Sequence, residues 1–168
     1  MQRTLALLFG TLLATQAAAH VTVEPTQAQR GAYTRVTLRV PHGCGGAATL
    51  RLVVHLPESA PAARPMPKPG WELSIARQPL ATPASTGHGN TVTDRIAEIA
   101  WQGNLPDAQY DEFVLMLRMP EQGDTLTLPV TQFCERGRKT EWTEIPTAGQ
   151  HADDLNAPAP AIRLAPAQ

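Results

Sequence analysis

Sixteen of the 168 residues are proline, and none comes before Pro25. A proline removes an amide donor and breaks a helix interior, so this density argues against a helix bundle. It suits a β-protein with many turns and irregular edges. The residues between the prolines agree with that. Thr34, Val36, Leu38 and Val40 alternate with Tyr33, Arg35, Thr37 and Arg39, the period of a half-buried strand. Leu50, Leu52, Val54 and Leu56 alternate with Arg51, Val53 and His55 after a glycine-rich turn. Further strands are expected over 20–24, 71–77, 91–101, 110–119, 124–130 and 139–145, with a proline-rich connection over 57–69 and a polar loop over 83–90. Eight short strands separated by turn signals predict an all-β fold, a two-sheet antiparallel sandwich.

The first nineteen residues read as an export signal rather than as part of that sandwich. Arg3 is followed by an apolar run from Leu5 to Ala14, and Ala17-Ala18-Ala19 offers the small residues of a signal-peptidase site. The run is shorter than the ~20 residues a spanning helix needs. No later stretch is apolar for long enough to anchor the chain, so the exported domain is expected to be soluble. The expected organisation is a signal over 1–19, a sandwich domain over 20–146 and a Pro/Ala-rich tail over 147–168. In that tail Ile162 and Leu164 are the residues able to lie against the domain. A formal charge of −1 gives no electrostatic case for nucleic acid or an anionic membrane surface.

Export also decides how the two cysteines read. Cys44 and Cys134 each sit beside a turn signal, and in an oxidising compartment an even pair is most simply a disulfide. The alternative is a pair of thiolate ligands for a soft metal, although the spacing fits no Cys-x-x-Cys motif.

Cleavage after Ala19 makes His20 the first residue. Its α-amine and its Nδ1 can then chelate one metal ion in a six-membered ring, so a single residue supplies two nitrogens. Both must lose protons, which an α-amine and an imidazole do near neutral pH, and affinity falls in acid. Two nitrogens completed by oxygen approach the tetragonal set that suits Cu(II). Were the new terminus trimmed, His20 would be an ordinary surface histidine.

The segments His20-Val21-Thr22-Val23-Glu24-Pro25 and Arg39-Val40-Pro41-His42-Gly43 resemble the YcnI-like family of exported bacterial domains. So do Lys68-Pro69-Gly70-Trp71, Trp101-Gln102-Gly103, Tyr110-Asp111-Glu112-Phe113 and Thr140-Glu141-Trp142-Thr143-Glu144-Ile145-Pro146, in the expected order through nearly the whole exported chain. The resemblance implies an immunoglobulin- or cupredoxin-like sandwich, a disulfide between Cys44 and Cys134, and a periplasmic location. It also implies a Cu(II) site of the mono-histidine-brace type: an N-terminal His with its amine, a Glu carboxylate and a nearby Trp. The implied role is copper trafficking or homeostasis, alongside a copper chaperone or a copper-transport membrane protein.

His20 takes the brace role. Glu112 is the expected carboxylate, on a strand where Phe113, Leu115 and Leu117 face the other way. Glu24 competes, but in an extended strand it stands about 13 Å from His20, and Asp111 points away from Glu112. Trp142 is the expected aromatic; an indole N–H is a donor only, so it would shield the ion rather than bind it. Trp71 and Trp101 read as core. His42, His55 and His88 read as surface residues, and His151 could reach the site only if the tail folds back. A copper-dependent oxidative enzyme and a structural sandwich domain are the rival readings. No hydrolase signature is present, and a non-catalytic role is expected.

Overall fold

A computed structural model of the chain describes residues 20–60, 62–87 and 89–166, the side chains of 86 and 87 excepted. The expected export signal and His88 lie outside the described residues. The alternating runs become strands β1 (Thr22–Glu24), β2 (Gln27–Gln29), β3 (Tyr33–Val40), β4 (Thr49–His55), β5 (Ala63–Pro65) and β6 (Glu72–Gly87). They continue as β7 (Asn90–Leu105), β8 (Asp111–Arg118), β9 (Thr125–Thr127), β10 (Val130–Cys134), β11 (Lys139–Trp142) and β12 (Ala161–Ala165). The helical turns among the described residues are two 3-10 turns, Glu135–Gly137 and Ala152–Asp154.

One sheet has the order β1-β3-β8-β5 and the other β11-β10-β4-β7-β6, with a small third sheet β2-β12-β9. Pairing in the two main sheets is antiparallel among the described residues, and β12 pairs with β2 in parallel. The core lies where the two main sheets face each other. Val36, Leu38, Phe113, Leu115 and Leu117 from one side meet Leu52, Val54, Ile99 and Trp101 from the other, all fully buried. Full burial of each such side chain stabilises the fold by roughly 1.5–3 kcal/mol. Trp101 and Trp71 both pack on Phe113, with ring centroids 5.5 and 4.8 Å away. Gly103 makes room for Trp71, because a Cβ there would stand 2.5 Å from the indole.

Three expectations need correction. The stretch over 83–90 is largely strand, since β6 and β7 continue as a long hairpin to Gly87 and Asn90. Pro79 and Pro83 are tolerated because β6 is an edge strand, and its pairing with β7 slips between Pro79 and Ala84. The strand expected over 124–130 divides at Leu128-Pro129 into β9 and β10, which belong to different sheets. Leu50 is turned outward, 37% exposed, by the register shift between Thr49 and Arg51. Beyond residue 146, Glu144 bridges to Pro158 and β12 buries Ile162 and Leu164.

Cys44 and Cys134 form a disulfide, S–S 2.05 Å. It fastens the corner after β3 to the end of β10. That corner is tight: a Cβ on Gly43 would lie 1.9 Å from the Ala47 carbonyl oxygen.

Candidate metal centre

β1 is the edge of one main sheet and β11 the edge of the other. His20 stands two residues before the start of β1, and Trp142 closes β11. The structure brings these two together: their ring centroids are 5.8 Å apart, edge to face, with 61° between the planes. Trp142 is 5% exposed and belongs to the core cluster, so the indole is both a core residue and the wall against which His20 rests.

The indole is held by Gln132, which is itself 1% exposed. Trp142 Nε1–H donates to Gln132 Oε1 at 3.1 Å. Gln132 Nε2 donates in turn to Thr49 Oγ1 at 2.6 Å and to the His42 carbonyl at 2.8 Å. A buried amide with its donors and acceptor engaged offsets its desolvation cost and favours one orientation of the ring. Sequence reasoning passed over Gln132. The signal was a polar residue sharing the inward face of β10 with Val130.

His20 Nε2 is buried and has no hydrogen-bond partner. That leaves Nδ1 as the ring nitrogen able to share an ion with the residue's own α-amine. The residues present fit a Cu(II) brace in this respect. Among the described residues no three His, Cys, Asp or Glu side chains gather at one point. A brace does not need them, because its second nitrogen comes from the main chain.

The carboxylates lie on the outer face of the four-stranded sheet. Thr22 pairs with Arg39, and Arg39 pairs with Glu112. Arg39 Nη2 donates to Glu24 Oε2 at 2.5 Å and its Nε to Glu112 Oε1 at 3.2 Å. The Tyr110 hydroxyl donates to the same Glu112 oxygen at 2.5 Å. The Tyr110 hydrogen bond, then the Arg39 guanidinium, holds the Glu112 carboxyl below its usual range. The same hydrogen bond raises Tyr110, and Arg39 is raised chiefly by its bond to Glu112. Both expected carboxylates thus share one arginine. Asp111 is ion-paired with Lys68 at 2.6 Å.

Of the remaining histidines, His55 lies between Glu98 and Thr131, each 3.2 Å away. His151 caps its own 3-10 turn through Asp154.

A family model described as "Domain of unknown function (DUF1775)" matches residues 20–164. The copper-binding protein CutI of Bacillus subtilis (strain 168) is 23% identical over 130 residues, which are 76% of this chain and 56% of that protein. The chain thus spans little more than half the length of this relative. Among solved structures, an uncharacterized protein from Nocardia farcinica with an immunoglobulin-like fold superimposes with a TM-score of 0.67 at 27% identity. The match covers 87% of this chain and 98% of that one. The all-β sandwich is therefore immunoglobulin-like.

Proposed function

The chain belongs to the DUF1775 family, which is the YcnI family, and from that premise we propose that it is an exported copper-binding protein. It holds one Cu(II) at a mono-histidine brace and serves copper trafficking or homeostasis in the periplasm. His20 gives its α-amine and Nδ1, Glu112 gives the carboxylate, and Trp142 shields the ion from water. The observation that carries this reading is His20 itself. It opens the stretch that the family model matches and rests its ring on a buried tryptophan, Nε2 inward. The copper-binding relative supports the choice of metal.

The surroundings of Glu112 suit the role. Tyr110 and Arg39 keep it ionised, the form in which a carboxylate binds a metal. To reach the ion it exchanges Arg39 for copper, and Arg39 keeps Glu24 as its partner. Copper is cargo here, received from or passed to a copper chaperone or a copper-transport membrane protein.

The brace depends on a free amine at His20, which gives the test. Protein beginning at His20 is expected to bind one Cu(II) per chain by titration calorimetry. A variant with one additional residue before His20 should lose most of that affinity while melting at the same temperature. Equal tight binding by the two forms would sink the brace.

A further inference from the structure

The long hairpin of β6 and β7 borders a cleft made of residues that the copper site does not use. Two ties hold the hairpin in place. At its root Arg95 Nη1 donates to the Leu56 carbonyl at 2.6 Å, and Nη2 to Gln78 Oε1 at 3.0 Å. Near its tip the Ser85 carbonyl accepts from Arg118 Nη1, at the end of β8, over 3.2 Å. Between hairpin and β5, the edge of the four-stranded sheet, a cavity of about 190 Å3 remains open. Drug-sized sites run to ~300–1,000 Å3, so this one suits a single small ring or a short chain.

The walls are apolar below and charged above. Val92, Asp94 and Ile96 alternate along β7 and so turn to the same side, toward the cleft. Ile96 is buried, as is Ala63 of β5. Across the gap Arg64 pairs with Met116 between β5 and β8, and Tyr33 opens β3 beside them. Met116 and Tyr33 are among the large side chains that the fold leaves exposed. Exposed apolar groups gathered at a concave place, with a few polar groups converging on it, are the usual make-up of a ligand site.

The charge on the walls has one sign to spare. Arg64, Arg77 and Asp94 are the charged groups that line the cleft. Arg77 is ion-paired with Asp94, and the two cancel. Arg64 has neither an ion pair nor a hydrogen bond among the described residues. The arginines around it are all engaged: Arg35 donates to Thr37 Oγ1, and Arg118 to Ser85 and Glu121. A lone guanidinium thus stands over an apolar floor.

We propose that this cleft binds a small carboxylate with an apolar body. Its two oxygens sit on the planar fork of Arg64, which matches a carboxylate through paired N–H donors. Its ring or chain lies on Ile96, Val92 and Met116. The site is independent of His20 and would stand if the copper reading failed.

The test uses metal-free protein beginning at His20, carbon-13 labelled at the methionine methyls, with benzoate as the probe and nuclear magnetic resonance as the readout. Benzoate is expected to shift the Met116 methyl saturably, while benzamide, of the same shape and uncharged, leaves it in place. Arg64→Gln should weaken benzoate by about 10-fold or more, with an unchanged melting temperature because Arg64 holds nothing in the fold. Arg35→Gln removes the same charge from the neighbouring strand and should leave the affinity near the wild-type value. Inorganic phosphate, which lacks an apolar body, should bind more weakly than benzoate. A Met116 methyl that benzoate does not shift, or shifts equally in Arg64→Gln, overturns the site. An equal response to benzamide or to phosphate overturns the ligand class.

Discussion

Two polar networks flank β1, and they are built on opposite terms. Inside, between the sheet edges, Trp142, Gln132, Thr49 and the His42 carbonyl form a neutral chain in which Gln132 and Thr49 are almost wholly buried. Outside, Glu24, Arg39, Glu112 and Tyr110 form a charged chain on a solvated face. A buried neutral network is costly to leave incomplete and so specifies geometry. An exposed ionic one is screened by water and contributes little to stability, but it sets the protonation of its members. The inner network therefore aims the rings, and the outer one tunes a carboxylate.

The comparison breaks most severely at the disulfide, because it anchors the corner from which the inner network hangs. It spans a separation of 90 residues. Replacing Cys44 and Cys134 together by Ala should cost about 4 kcal/mol of unfolding free energy in the chain-entropy account. Urea denaturation would show it as a lower midpoint. An unchanged midpoint would mean that strand pairing alone holds the corner after β3.

A smaller effect is expected inside the network. Gln132→Leu leaves the Trp142 N–H, the Thr49 hydroxyl and the His42 carbonyl without their partner. An unsatisfied buried group costs about 1–3 kcal/mol. The same variant should red-shift and broaden Trp142 fluorescence and weaken its quenching by Cu(II), which a simple loss of stability would not do. Quenching identical to wild type in a folded Gln132→Leu protein would remove Gln132 from the site.

Much of the sandwich was legible because its core strands obey period two. Phe113, Leu115 and Leu117 are buried as their alternation requires, and so are Val36, Leu38 and Val40. What escaped were strands such as β2, β5 and β12, only three to five residues long. Three residues show no period, and such strands exist only because neighbours pair with them. The long hairpin escaped for a related reason. Pro79 and Pro83 signal a break in any central strand, and only the sheet order reveals that β6 is an edge. His20 and Trp142 could be named from the sequence because each lies in a recognisable segment. Gln132 could not, because its importance is set by register across strands distant in the chain.

The outer network makes the smallest and most specific prediction. In the folded protein Glu112 is held below the usual carboxylate range, first by Tyr110 and then by Arg39. The sign follows from linkage: a depressed carboxyl stabilises the fold above the unfolded-state value, and the contribution is lost as pH falls through the folded one. Tyr110→Phe and Arg39→Gln should hardly change the melting temperature at neutral pH, because all three groups are solvated. Each should instead raise the Glu112 titration in metal-free protein toward the ordinary value of 4.5. Tyr110→Phe should move it further, since the hydroxyl is the larger cause. Carboxyl carbon-13 shifts of Glu112 against pH would read both effects directly. A Glu112 that titrates at the ordinary value in the wild type would show that the outer chain sets no charge, and the contrast with the buried network would reduce to one of burial alone.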